Sequence, residues 1–481
     1  LASSLLKKFE FGGSVEADAA AIAKFKLSNK HAGQWKREIF EDRNPLSLFA
    51  QPSLVREVVD RLKYDLYRTC EMGDQIDFHE FVKAFDVGPG SSRGASDVDL
   101  FSKIGYGPLT ASSAGVFALY SELICGSRWE RAERQRAALF GEPVLDDSSV
   151  LSCVPKNVEI SRTIGTEPTV NMLLQKGLDG CILQVLKGRG IIVNHQQPAN
   201  RELARLGSID NSFSTIDLSS ASDYLSLSLY EYILPPSLFN WACQLRVAST
   251  TYKGKTITLN MMSTMGNGFT FSLMTLFFTS LVLAVYNQLN IKPMPPIFVE
   301  NKFGETELMS AGNYAVFGDD IIVVTEATEL LLKCLTELGQ KPNLEKSCFK
   351  PNNYRESCGG FFLNGQSIKP VFLKRLSSPQ DCYVAFNRLS EWSSMYGIPI
   401  PRTLRHIIGA VKNQKIVPRF FPLDSGSQLP ESCVPQVMYD KMQKLFLSGK
   451  EPFWDIAFFS AQKREEKVDR SKIRKRKRLL N

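Results

Sequence analysis

Nitrogen and sulfur ligands for metals are scarce in this chain. The 481-residue sequence has four histidines, His31, His79, His195 and His406, all far apart, and none of its ten cysteines forms a CxxC pair. Zinc sites draw on closely spaced Cys and His, so the spacing argues against one. The scattered cysteines read as reduced thiols in a cytosolic setting. The first residues do not read as a signal peptide. The chain starts at Leu1, which processing, truncation or a non-standard start codon would each explain. One stretch could mimic a membrane span, Phe269 to Tyr286, which carries no charge. It is dotted with Ser and Thr and has no close basic flank, which fits a buried helix of a large protein better than a membrane span. Basic charge is also scarce outside one end. Of the net +8, the stretch Lys463 to Asn481, with ten basic and three acidic residues, holds +7, leaving +1 for residues 1–462. Any polyanion binding by that body must use locally clustered charge. The segment Lys472 to Arg478, with six basic residues in seven, reads as a solubilising end, a nucleic-acid-contacting arm or a nuclear localisation signal.

What is present is an acidic pair in an unusual place. Tyr314-Ala315-Val316-Phe317 and Ile321-Ile322-Val323-Val324 read as strands, and Gly318-Asp319-Asp320 between them reads as a tight hairpin turn. Adjacent carboxylates repel, and a turn alone would be better served by Asn-Gly or Asp-Gly. The pair makes sense if a divalent cation sits between the carboxylates and a phosphate. The length implies two to four lobes or one large enzyme. Residues 1–150 read as helical and mixed in charge, broken by the Gly/Ser-rich loop Gly88 to Gly94, and no internal repeat is found. A basic-biased segment covers 151–210. Then come a strand Phe213 to Ile216 ending at Asp217, and a helix expected to start near Asp223 as its cap and to stop before Pro235-Pro236. A polar turn at Lys253-Gly254-Lys255, a small-residue loop Ser263 to Gly268, the apolar helix, the hairpin and a helix near 327–338 follow. This order predicts an α+β core with an antiparallel sheet.

If the strand ending at Asp217 neighbours the hairpin, three carboxylates converge at one sheet edge. That is the requirement of a two-metal site, with Mg²⁺ ions about 3.5–4 Å apart. Mg²⁺ takes carboxylate and phosphate oxygens and needs no His or Cys, which suits this composition. Otherwise Asp217 is a turn cap and Asp319-Asp320 a surface hairpin. Ser263-Thr264-Met265-Gly266-Asn267-Gly268 offers two glycines for close backbone approach and one side-chain amide ahead of a helix, suited to a phosphate or sugar, or simply a helix-start loop. Lys156 and Arg162 could grip a nucleoside triphosphate, and Lys346 could protonate leaving pyrophosphate. Solvated surface charge is the alternative for all three.

These segments, in this order, resemble the palm of RNA-dependent RNA polymerases, and most closely the catalytic replicase subunit of the single-stranded RNA bacteriophages, the leviviruses. Ser214 to Asp223 resembles that family's motif A, Ser263 to Phe271 its motif B, Phe317 to Ile322 motif C, Lys341 to Lys346 motif D and Tyr354 to Gly359 motif E. Val154 to Asn157, Glu167-Pro168 and Asn171-Met172 match the family's finger motif. The resemblance is continuous from about 150 to 375, patchy before that (Asn29 to Phe40, Gly88 to Ser96) and faint after about 410. Three departures stand out: Phe317 where the family usually has Tyr, Ser272 and Met274 where relatives carry glutamates, and a less basic Val158-Glu159-Ile160. The resemblance implies a right-hand polymerase of α+β class, with fingers at 1–210, a palm at 211–375 whose antiparallel sheet carries the aspartates, and a thumb with the basic tail at 376–481. It implies Asp217 and Asp319 as main ligands of two Mg²⁺ ions (Mn²⁺ the alternative), Asp320 as a supporting ligand, and Lys346 as the acid. By the same resemblance, Asp223 and Asn267, with Ser263 and Gly266, sense the ribose 2′-hydroxyl, and Lys156 and Arg162 hold the triphosphate. It further implies template and product RNA and ribonucleoside triphosphates as substrates, host elongation factors Tu and Ts and a small-subunit ribosomal protein as partners, no membrane, and the bacterial cytoplasm as location. A reverse transcriptase is the first competing reading. Such enzymes commonly place a bulky residue soon after the first aspartate, whereas Leu218 to Ser222 is mostly small. A relative from the capsidless RNA viruses and a non-catalytic RNA-binding protein are the others.

Overall fold

The computed structural model of the protein describes residues 5, 6, 9, 14–37, 40, 53–71, 78–157, 159–302 and 304–430. The basic segment Lys472 to Arg478 and the last 51 residues of the expected thumb, 431–481, lie outside the described residues, as do Val158 of the finger segment and residues 38 and 39 of the Asn29 to Phe40 match. The chain divides into two compact units, one of residues 13–155 and 160–369, the other of 1–12, 156–159 and 370–481. The expected finger–palm boundary at 210/211 falls inside the first unit.

The elements that frame the site are, in chain order, strands β1 (Ser148–Pro155) and β2 (Ser161–Thr166), helices α1 (Thr169–Gly188) and α2 (Gln196–Asp210), strand β3 (Phe213–Ile216), helix α3 (Leu227–Ile233), strands β4 (Ser249–Tyr252) and β5 (Lys255–Thr258), helix α4 (Thr270–Gln288), strands β6 (Ala315–Phe317) and β7 (Asp320–Val324), helix α5 (Thr328–Glu337), and strands β8 (Tyr354–Ser357) and β9 (Gly360–Leu363). The sheet that matters most has the order β6-β7-β3, antiparallel throughout. Its side chains alternate between two layers, as the period of two requires. Ala315 and Ile322, paired in register, pack with Leu203 and Ala204 of α2. Val316, Ile321 and Ile216, also in register, join the main core with Phe277, Phe278 and Leu281 of α4 and Leu331 of α5. Helix α2 ends at Asn211 with φ 60°, a left-handed terminus that suits Asn. Gly207 lets the helix lie against the sheet, since a Cβ there would sit 2.6 Å from the Phe213 carbonyl oxygen.

Helix α4 is the one described helix long and apolar enough to cross a membrane, yet 83% of its apolar window is buried inside the protein. A helix apolar on every side is expected at the centre of a core, and the expected buried helix is what is found. Several of its polar groups hold neighbouring segments, although the buried Thr279 hydroxyl has no partner among the described residues. The Thr275 hydroxyl accepts from Gly318 N–H at 3.1 Å, and Tyr286 Oη donates to Asn313 O at 2.7 Å and accepts from Val324 N–H at 2.9 Å.

The helix expected from Asp223 is not formed there. Ala221–Tyr224 make a 3-10 turn, and α3 begins only at Leu227. The backbone between them is drawn to the segment that follows β5, with Leu227 N–H donating to Asn260 O at 2.9 Å and Met262 N–H to Leu225 O at 2.7 Å. Asp223 therefore caps nothing.

The second sheet has the order β2-β1-β4-β5. Its β4–β5 hairpin turns at Lys253 and Gly254, both at positive φ, the geometry of a two-residue hairpin loop. Within the smaller unit, the helix Pro379–Tyr396 opens with a capping box of Ser378 and Asp381. It packs Cys382, Ala385 and Leu389 with Ile407 of the helix Pro401–Gly409.

One buried cation ties β8 to β3. Arg355 is 0% exposed and donates to Phe213 O at 2.7 Å, Tyr354 O at 2.7 Å, Asn211 Oδ1 at 2.9 Å and Asn352 O. Arg355→Met keeps the volume but strands these acceptors. A loss of about 2–4 kcal/mol in unfolding free energy is expected, measurable by urea denaturation.

Candidate active site

The register of β7 on β3 does the assembling. Ile321 pairs with Ile216, and one residue further on the same antiparallel register sets Asp217 opposite Asp320. Phe317 and Asp320 close the hairpin, with Gly318 and Asp319 as the two turn residues. Gly318 has φ +61°, and a Cβ there would meet the Phe271 ring at 2.5 Å, so only glycine fits this tip. Phe317 packs edge-on against Phe271 with ring centroids 4.8 Å apart. The ring that replaces the family's Tyr is thus a packing element in this chain. The structure brings Asp217, Asp319 and Asp320 to one sheet edge.

Each of the two strand-end carboxylates has its own setting. Asn343 Nδ2 donates to Asp217 Oδ2 at 3.0 Å, Asn343 N–H to Asp217 O at 2.8 Å, and Asp217 N–H to Ser347 Oγ at 3.1 Å. Lys346 Nζ stands 3.8 Å from Asp217 Oδ2, with 60% of its side chain exposed. Asp320 is approached from the β8–β9 hairpin: Ser357 Oγ lies 3.3 Å from Oδ1, and Cys358 Sγ lies 3.6 Å from Oδ2. Asn200 of α2 donates to both Asp320 O and Ser357 Oγ at 3.3 Å. Asn200, Ser357, Cys358, Asn343 and Ser347 were not singled out from sequence as site residues. Asn343 falls within the motif D stretch and Ser357 and Cys358 within motif E, but the sequence does not show that they are aimed at the aspartates, because most of the partners lie more than 100 residues away.

The loop Ser263 to Gly268 lies against β2 and α1. Gly165 N–H donates to Met265 O at 2.8 Å. Gly266 has φ +114°, and a Cβ there would meet Gly165 O at 2.2 Å. Asn267 is buried, with Nδ2 donating to Glu167 Oε1 at 3.3 Å and Oδ1 accepting from Phe269 N–H at 3.1 Å. The Ser263 and Thr264 hydroxyls are buried with no hydrogen-bond partner among the described residues. Asp223 is half-buried beside Ser222, 3.4 Å from its Oγ. Among the described residues, no hydrogen bond joins Asp223 to Asn267. Arg162 is exposed on β2, opposite Val154, and Lys156 is exposed in the connection that belongs to the smaller unit.

The donor set suits a hard divalent cation. Burial first, then the charge of Asp319, and more weakly that of Asp217, push the Asp320 carboxyl up to about 6, against hydrogen bonds from Cys358. Negative charge is thus concentrated where one exposed lysine is the nearest counter-ion. Among the described residues no three His, Cys, Asp or Glu form a ready-made cation cage. Mg²⁺ usually needs only one or two carboxylates, completed by water and substrate phosphates, and the aspartates fit that use.

A profile of the RNA replicase beta-chain family matches residues 141–428, more than half of the chain. The sequence is 38% identical over 253 residues to the RNA-directed RNA polymerase beta chain of Enterobacteria phage GA, covering 52% of this chain and 44% of that one. It is 33% identical over 268 residues to the RNA-directed RNA polymerase subunit beta of Escherichia virus Qbeta, covering 55% and 42%. The match therefore spans less than half the length of these relatives. Among solved structures, the BmCPV RNA-dependent RNA polymerase at elongation state superposes with a TM-score of 0.43 at 12% identity, over 74% of this chain and 33% of that one. A likeness that loose says nothing about the site.

Three carboxyls of this region give the protein a pH dependence. Burial raises Glu167 to about 7 and Asp223 and Asp320 to about 6. Unfolded, such groups release their protons near about 4. The folded state thus binds more protons between about pH 4 and 7, so these groups lower stability as pH rises through that window. Asp320→Asn removes one of them. Its melting temperature is expected to exceed the wild type's by about 2–4 °C at pH 7.5, with the gain shrinking toward pH 4. Differential scanning fluorimetry across that range, without divalent cations, measures it.

Proposed function

The chain belongs to the RNA replicase beta-chain family, and we propose that it is an RNA-directed RNA polymerase that copies a single-stranded RNA phage genome. The observation that carries this reading is the antiparallel register that sets Asp217 opposite Asp320 beside the Asp319 turn. In the proposed reaction a 3′-hydroxyl attacks the α-phosphate of a ribonucleoside triphosphate and pyrophosphate leaves. Asp217 and Asp319, with Asp320 in support, would hold two Mg²⁺ ions, Mn²⁺ being the alternative. The chemistry supplied with them is activation of the attacking hydroxyl and neutralisation of the leaving pyrophosphate.

The remaining groups have roles suited to where they sit. Asn343 and Ser347 fix the Asp217 carboxylate and backbone, while Ser357 and Cys358 fix Asp320. Lys346 would give a proton to the leaving pyrophosphate, a role supported by its standing beside Asp217 and open to solvent. Lys156 and Arg162 are the proposed triphosphate contacts. Ser263, Gly266 and Asn267, with Asp223, form the proposed sugar-sensing group, and the unpartnered Ser263 and Thr264 hydroxyls are available donors there. The division into fingers (1–210), palm (211–375) and thumb with basic tail (376–481) belongs to the same proposal. So do action in the bacterial cytoplasm and partnership with elongation factors Tu and Ts and a small-subunit ribosomal protein.

The test is incorporation of labelled ribonucleotides on an RNA template with Mg²⁺, with and without bacterial lysate to supply partners. Asp319→Ala and Asp217→Ala are each expected to lower synthesis at least about a hundredfold. Equal synthesis by wild type and variants would sink the assignment of the site.

A further inference from the structure

Glu167 is buried, 2% exposed, in the short connection between β2 and α1. A carboxyl without a nearby salt bridge is costly in such a place, and Arg246, the charged group facing it, spends its hydrogen bonds elsewhere, on Leu259 O and Met261 O. Instead, two side-chain amides point at Glu167. Asn267 Nδ2 donates to Oε1 at 3.3 Å and Gln175 Nε2 to Oε2 at 2.7 Å.

Neither amide can turn round. Gln175 also donates to Leu245 O at 2.8 Å, and its Oε1 accepts from Gly268 N–H at 3.0 Å. Asn267 Oδ1 accepts from Phe269 N–H at 3.1 Å. Flipping either amide would put donor against donor and leave a buried backbone N–H unpaired. The position at 167 must therefore present two acceptors, which a carboxylate does and a carboxamide cannot. Both chains of bonds lead to the same segment, one through Asn267 and the other through Gln175 to Gly268. A Cβ on Gly268 would lie 2.9 Å from Gln175 Cβ, so the contact is close.

We propose that Glu167 is a positioning residue that fixes the loop Ser263 to Gly268, and through it the recognition of the nucleotide sugar, by accepting from both amides that hold the loop. The sugar part rests on the polymerase reading, while the clamp does not. Removing it should loosen the loop without disturbing the aspartates, which stand on a different sheet.

The experiment uses the full chain with Glu167→Gln, which swaps one acceptor for a donor at nearly constant volume. In hydrogen–deuterium exchange without substrate, peptides covering 263–269 are expected to exchange about tenfold faster than in the wild type, with those of α4 beyond its first turn unchanged. In the incorporation assay, preference for ribo- over deoxyribonucleotides is expected to fall about tenfold, while kcat for matched ribonucleotide changes less. Unchanged exchange at 263–269 would overturn the proposal, as would an increase spread over the whole chain or an equal loss with both sugars. Should Glu167→Gln not fold, Gln175→Met breaks the clamp from its other side and is read by the same exchange criterion. If the wild type itself makes no RNA with lysate, the polymerase reading fails and the exchange result still decides the clamp.

Discussion

The hairpin that carries Asp319 is held at its tip and at its open end by one helix. Thr275 takes the N–H of Gly318 at the turn, and Tyr286 bridges Asn313 O and Val324 N–H at the far end. Eleven residues separate the two, close to three full helical turns, so both fall on one face and span about 16 Å. The seven residues from Gly318 to Val324, six steps of the chain, cover up to about 20 Å. The match in length makes the helix a rigid splint for the hairpin. The rest of the site builds on it, because β3 takes its register, and Asp217 its place, from pairing with β7 of this hairpin.

The splint also accounts for the composition of α4. Buried Ser and Thr usually cost free energy unless they are paired. Thr275 is paired to its own helix, donating to Phe271 O at 2.8 Å while accepting from the turn, and Ser280 accepts from Arg189 at 2.7 Å. Among the hydroxyls of the uncharged run, those of Thr275 and Tyr286 are the ones by which the helix holds the hairpin. Where relatives carry glutamates, Ser272 is fully buried and its hydroxyl donates to Phe269 O at 3.2 Å, which leaves no room for an acid role at that position.

Much of this was legible in the sequence, and what was not has a common cause. Strand Phe213–Ile216, the Gly-Asp-Asp hairpin, the Lys253-Gly254 turn and the buried helix follow from local period and turn chemistry, which need no partner to be read. The start of α3 was misplaced because Ser226 and Leu227 are engaged by Met261 and Asn260, a tertiary contact that overrides the capping preference of Asp223. Nothing in the sequence marks Gln175, and Glu167 stands out there only as part of the finger-motif match, with no partner to read. Gln175 sits on the buried face of its helix beside a second buried amide, Asn171, and a sequence does not show that it is oriented by a carboxylate and by a glycine N–H from another loop. Asn200 and Ser357 under Asp320 are 157 residues apart. Short-range pattern finds the carboxylates but not the groups that aim them.

The arrangement is a poor one for stability taken alone. Asp320 is drawn into a half-buried position beside two other acids, and Lys346, which stands by Asp217, is well exposed, so its attraction is screened by water. Nor does the rest of the chain supply a compensating field, since outside the last nineteen residues the net charge is only +1. A frame selected for stability alone would place Asn at 320. This one keeps adjacent carboxylates and instead invests in holding them, with Asn343 and Ser347 on Asp217, Ser357 and Cys358 on Asp320, and α4 behind the turn. Repulsion that is preserved and braced, rather than relieved, is what a site requires if its positive charge arrives only with the substrate.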